Sequence, residues 1–101
     1  MIEKIDQAQF DSLLADVSKP VAFVYTASWC APCKALKQTL DKIPQTVYSV
    51  DVDDNPKAAQ RFGVRGIPTM VFVKDGKQVD QLVGAVPRSQ IDASLAKAGM
   101  E

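Results

Sequence analysis

The sequence predicts an α/β fold in which a mixed β-sheet is covered by helices on both faces, and three observations carry that reading. The run Val21-Ala22-Phe23-Val24-Tyr25-Thr26 is apolar, aromatic and β-branched without polar alternation, as a central strand buried on both faces must be. Segments with helical spacing of apolar residues alternate with strand-like ones in the order β-α-β and then β-β-α, which calls for parallel crossovers. Asp75-Gly76 joins the last two strand-like segments, a turn pair that makes them an antiparallel hairpin and the sheet therefore mixed.

Each element has its own signal. Asp6 caps a first helix over about residues 7 to 16, with Phe10, Leu13, Leu14 and Val17 as its apolar positions and Pro20 as a stop. The central strand Val21 to Thr26 follows. Next comes the loop Ala27-Ser28-Trp29-Cys30-Ala31-Pro32-Cys33-Lys34, leading into a helix with Leu36, Leu40 and Ile43 on one stripe and Pro44 as terminator. Val47, Val50 and Val52 mark a further strand. Asn55 then supplies an N-cap and Pro56 a first helical residue for a short helix ending near Phe62-Gly63. Thr69 to Lys74 and Gln78 to Gly84 form the hairpin. Ile91, Leu95 and Ala98 stripe a last helix that starts near Pro87 and ends at Gly99.

Size and composition narrow the function. At 101 residues the chain makes one domain, 1–101, with a single core. A hydrophobic content of 47% with 24% charged residues is that of a chain that folds. Twelve basic and twelve acidic side chains cancel and no block of like charge occurs, so neither nucleic acid nor an anionic membrane is an expected partner. No apolar run approaches the roughly 20 residues of a membrane span. The start, Met1-Ile2-Glu3-Lys4-Ile5-Asp6, has neither a basic segment nor an apolar one of the kind a secretory leader carries, and a cytoplasmic location is expected. With no histidine in the chain, Ser-His and Cys-His nucleophilic pairs and imidazole metal ligation all fall away.

The chemistry concentrates in the two cysteines, Cys30 and Cys33. In a reducing compartment a purely structural disulfide is unexpected, and one closing so short a loop constrains the unfolded chain little. A C-x-x-C pair between a buried strand and a helix reads instead as a redox motif. At the start of that helix, free backbone N–H groups and the positive end of the dipole favour thiolate on Cys30. Pro32 fits the first turn, where its missing N–H costs no hydrogen bond, and stiffens the link between the sulfurs. Cys33 faces inward and attacks the mixed disulfide formed on Cys30. A structural metal site is the first alternative, but two thiols without histidine fall short of four ligands. Haem attachment would need histidine where Lys34 stands, and an iron-sulfur cluster would need more thiols. Inert buried cysteines remain a second alternative, one that leaves Trp29 and Pro32 unexplained. Asp51-x-Asp53-x-Asn55 begins like a calcium loop, but Pro56 and Phe62 occupy the positions that need Gly and Glu. It reads as a strand end followed by a helix cap. Lys57, Arg61 and Arg65 read as a solvated helix face rather than a steering patch.

With these residues in view, the chain resembles the thioredoxin family over nearly its whole length. Trp29-Cys30-Ala31-Pro32-Cys33-Lys34 resembles the family's W-C-G-P-C-K active site with Ala31 in place of Gly. Arg65-Gly66-Ile67-Pro68-Thr69 resembles its cis-proline segment, Asp53-x-Asn55-Pro56 its third-helix entry, and Val83-Gly84-Ala85 its substrate-groove glycine. The resemblance implies a thioredoxin fold, with about five strands flanked by about four helices. It also implies that Pro68 is cis and lies beside the cysteine pair, and that the backbone of Ile67 pairs with an extended substrate. An X-Pro bond is otherwise cis in only about 5% of cases. Trp29, Ala31, Pro32, Ile67, Pro68 and Ala85 then read as a flat apolar docking surface.

The departures from the family are informative. Most members bury an Asp at the position matching Val24, and its usual Lys neighbour corresponds to Ser49. Without that carboxylate the proton relay from the second cysteine is missing, and so is a negative charge near the sulfurs. Loss of an anion favours thiolate, which makes the dithiol more stable and the couple more oxidising. Proton transfer from Cys33 then falls to water or to the hydroxyl of Thr26, which stands where the family has Trp. The stretch from Cys33 to Asp51 is also shorter than in typical members, and Gln38 replaces a helix-kinking proline, so a shorter, straighter helix with altered partner contacts is expected.

The expected activity is that of a thiol-disulfide oxidoreductase that reduces target-protein disulfides through Cys30 and Cys33, with no cofactor beyond that redox-active disulfide and no metal. The expected partners are disulfide-bearing proteins and a thioredoxin reductase, and the expected state is monomeric. The alternatives are a more oxidising disulfide-exchange protein and a binding module in which the fold docks on a larger partner.

Overall fold

Five strands and four helices alternate along residues 1–101, all of which are described in the computed structural model. They run β1 (Ile2–Ile5), α1 (Gln7–Ala15), β2 (Val21–Thr26), α2 (Ala31–Leu40), β3 (Val47–Asp51), α3 (Pro56–Arg61), β4 (Thr69–Lys74), β5 (Lys77–Val83) and α4 (Arg88–Lys97). The sheet order is β1-β3-β2-β4-β5. β3 lies parallel to β1 and β2, while β4 is antiparallel to β2 and β5. The sheet is therefore mixed, as the hairpin signal required. Asp75 and Gly76 take φ of 55° and 78°, the pair of positive values that a two-residue hairpin of matching twist needs.

Side-chain alternation along the strands divides the core into two layers. On one face Ala22 and Val24 of β2, with Val47, Met70 and Phe72, pack against Leu36 and Leu40 of α2 and Ile91 and Leu95 of α4. On the other, Phe23 and Tyr25 with Val50 and Val71 pack against Phe10 of α1 and Ala58 of α3. Phe10 stacks on Phe23 with ring centroids 4.7 Å apart. The Tyr25 hydroxyl donates to the Ala58 carbonyl at 2.9 Å, and burial pushes the phenol well above its ordinary range.

Helix ends show where local signals were incomplete. Asp6 forms a full capping box with Gln9 on α1. The helix stops at Ala15, and Val17, expected on its apolar face, is exposed because it lies past the last turn. α2 ends at Leu40, so Ile43 is buried from the following turn rather than from the helix. Pro44 disfavours helical geometry at the residue before it, consistent with that early stop. Asn55 occupies the N-cap position of α3 without capping it through its side chain. Its Nδ2 donates to the Asp51 carbonyl at 3.0 Å, and the Ala58 N–H is taken by Gln7 Oε1 of α1 at 2.9 Å. Val52 falls just beyond β3. β1 has no residue signal of its own, since Glu3 and Lys4 interrupt its two isoleucines, and the pairing with β3 defines it.

Candidate active site

The site is built at one edge of the parallel strands, where β2 hands the chain to α2. Thr26 ends β2, Ala27 is buried, and Ser28 and Trp29 are exposed before the chain turns into Cys30. Cys30 is the N-cap residue of α2, with extended backbone. Its sulfur accepts the Cys33 N–H at 3.2 Å, which satisfies one of the backbone donors that a helix start leaves open. Pro32 lies in the first turn and leaves no unmet N–H there. A sulfur held at a helix N-terminus by an N–H donor is an environment that favours thiolate.

Cys30 and Cys33 are joined in a disulfide with Cα atoms 5.3 Å apart. Both are only 4% exposed and form a small cluster with Ala27, onto which Val52 and Ile67 pack. Cys30 is as enclosed as Cys33. What is open beside it is Trp29, 69% exposed.

Ile67 packs against the cysteine cluster. The Ile67–Pro68 peptide bond is cis and Pro68 is buried. The Pro68 carbonyl accepts the Gly84 N–H at 2.8 Å, which brings Gly84 and Ala85 to the same end of the sheet. Gly84 has φ of 91°, a conformation side chains with a Cβ rarely adopt. Trp29 and Ile67 line a shallow hollow with Val52, Ala59, Val64 and Gly66. Ala31 is exposed at the first position of α2. Of the residues singled out in the sequence, Ile67 packs on the disulfide cluster and shares the hollow with Trp29, Ala31 and Pro32 open the helix that Cys30 caps, and Pro68 and Gly84 are hydrogen-bonded at the same end of the sheet.

Two features escaped the sequence reading. Trp29 Nε1 donates to Asp53 Oδ2 at 2.9 Å, an orientation set by the loop after β3 that no spacing rule announces. Behind Cys33 a cleft of about 410 Å³ is lined by Lys4, Thr26, Lys37, Ser49 and Asp51 among others. Asp51 Oδ1 accepts the N–H groups of Asp53 and Asp54 at 2.9 and 3.3 Å. No three His, Cys, Asp or Glu side chains converge to hold a metal ion. Arg61 stacks on the Phe62 ring at 4.7 Å from its centroid.

Comparison with known proteins agrees with this geometry. The family model described as Thioredoxin matches residues 1–97. The chain is 36% identical over 99 residues to Thioredoxin 1 of Synechococcus elongatus, with 92% of each chain covered. It is 38% identical over 88 residues to a thioredoxin of Chlorobaculum thiosulfatiphilum, with 81% of this chain and 82% of that one covered. The crystal structure of Malassezia sympodialis thioredoxin superposes with a TM-score of 0.83 at 33% identity, covering 96% of this chain and 92% of the other. A Halobacterium salinarum thioredoxin variant gives 0.81 at 29% identity over 96% of this chain and 90% of that one. Neither an oxidising exchange protein nor a docking module without redox chemistry is favoured by these relatives. Proteins of this kind work without a cofactor, on the cysteine pair alone. The chain belongs to the thioredoxin family of thiol-disulfide oxidoreductases, and the Cys30–Cys33 disulfide is its redox centre.

Proposed function

We propose that Cys30 is the attacking thiolate and Cys33 the resolving thiol of a protein-disulfide reductase. The observation that carries this assignment is the Cys33 N–H donated to Cys30 Sγ at 3.2 Å. Of the two sulfurs, only that of Cys30 caps the helix, so the dipole and a backbone donor stabilise negative charge on it. In the dithiol form Cys30 attacks a substrate sulfur and expels the other as thiolate. Cys33 then attacks Cys30 Sγ, closes the protein disulfide and releases the reduced substrate.

Substrate docks, in this reading, on Trp29, Ala31, Ile67, Gly84 and Ala85, with Pro32 and the cis Pro68 shaping the floor. Neither the N–H nor the carbonyl of Ile67 bonds to another backbone group, which leaves both free to pair with an extended segment as an added strand. The chain acts as a single-domain monomer in the cytoplasm, where a dithiol reductase meets a reducing pool. A thioredoxin reductase returns its disulfide to the dithiol.

Paired substitutions test the assignment. Cys33→Ser should accumulate a covalent mixed disulfide with a disulfide-bearing protein, visible by mass spectrometry and reversed by dithiothreitol. Cys30→Ser should form none at neutral pH. Adduct formation through Cys33 in the Cys30→Ser protein would reverse the roles.

A further inference from the structure

The resolving step needs Cys33 as a thiolate, yet its sulfur is buried and the chain has no histidine to take the proton. Val24, on the same face of β2, is apolar and buried in the core. The proton must leave through the cleft that Cys33 itself lines. Among the charged groups in that cleft, Lys4 of β1 and Lys34 and Lys37 of α2 carry no acceptor, and only Asp41 and Asp51 do. Asp41 lies eight residues beyond Cys33 at the far end of α2, about 12 Å along the helix at 1.5 Å per residue. Asp51 is placed differently. It ends β3 directly opposite Thr26, the residue from which the chain departs for the cysteines. Strand alternation puts both on the face that α2 covers.

We propose that Asp51 is the proton acceptor for Cys33 in the resolving step, a role that rests on the reductase reading above. Its carboxylate is held for the task. Oδ1 accepts the Asp53 and Asp54 N–H groups, while Oδ2 has no donor within the protein. The Cys33 thiol proton crosses the cleft, by the Thr26 hydroxyl or solvent, to Asp51. The Cys33 sulfur then forms its bond to Cys30 Sγ as the bond from Cys30 to the substrate breaks. The electron pair leaves on the substrate sulfur, which takes a proton from solvent, and Asp51 returns its own to solvent. Lys4, opposite Ser49 on β1, and Lys37 supply positive charge across the same cleft. The carboxylate that the strand floor lacks at Val24 is thus provided one strand over.

Stopped-flow reaction of the reduced protein with one equivalent of dithiobis-nitrobenzoate separates the two steps. The first coloured thiolate reports attack by Cys30 and the second resolution by Cys33. Asp51→Asn keeps an oxygen for the two backbone N–H groups and removes the base. The expected result at pH 7 is an unchanged first phase and a second phase slowed by about a hundredfold. The difference should close near pH 10, where free thiols ionise unaided. Asp51→Glu should restore part of the rate, and Asp41→Asn should leave it unchanged. A second phase unchanged or faster in Asp51→Asn overturns the proposal, since loss of an anion alone would favour thiolate. Equal slowing of both phases at every pH also overturns it, as a structural effect. Absence of the first phase in the unsubstituted protein would overturn the reductase reading itself, and this proposal with it.

Discussion

Cys30 illustrates how much a single residue's position can carry. Its place after an apolar strand and before a helical stripe was readable from the sequence, and with it the helix N-terminus that tunes the sulfur. Asp51 and Asp53 were not readable in the same way. Their spacing suggested a strand end and a failed calcium loop, whereas what they do depends on the turn that faces them toward Trp29 and toward the cleft behind Cys33. Lys4 enters that cleft only because β1 pairs with β3 in a register that sets it beside Ser49. At this scale Val24 is the informative substitution. Val24→Asp buries a carboxylate among apolar side chains, with an expected loss of roughly 3 to 5 kcal/mol in denaturant unfolding. It should also raise the Cys30 thiol pKa in a thiolate-absorbance titration, because an added anion disfavours thiolate. A lowered thiol pKa would contradict the electrostatic argument.

Elements position the site through contacts that cross from one to the next. α3 is only six residues long and starts without a side-chain cap of its own. Gln7 of α1 and the Tyr25 hydroxyl of β2 supply partners for its backbone instead, which is why Asn55 could be read as a cap and yet bond elsewhere. The hairpin and α4 are joined by Ser94 Oγ, which donates to Asp80 Oδ2 at 2.6 Å. That hydrogen bond, ahead of the Gln81 N–H and nearby Lys97, holds the Asp80 carboxyl below its ordinary value, with partial burial opposing it. A depressed carboxyl pKa stabilises the fold above the unfolded-state value near 3.9 and stops doing so as pH falls through the folded-state value. Ser94→Ala should therefore cost about 1 kcal/mol at pH 7, the net worth of one hydrogen bond to a carboxylate that is only partly buried. The gap between variant and parent should shrink in urea melts below about pH 4. A constant gap across that range would place the loss in packing rather than in the carboxylate.

For the molecule as a whole, the sheet order β1-β3-β2-β4-β5 puts β2 at the centre, so the cysteine loop leaves from the best-supported strand of the fold. The β-α-β and β-β-α halves were legible because apolar runs, Asp75-Gly76 and the proline positions are local signals. β1 was not, since a four-residue edge strand with two charged residues in its middle shows itself only through its partner. No helix is long and apolar enough to cross a membrane. On the reading proposed above, Cys30 and Cys33 form one reversible redox couple poised for reduction of protein disulfides. Trp29, the sole tryptophan, lies next to Cys30, so its fluorescence along a glutathione or dithiothreitol redox series measures that couple. A single reversible two-electron transition is expected, absent in Cys30→Ser, with a potential below that of glutathione. A potential at or above that of glutathione, or no reversible transition, would contradict that reading.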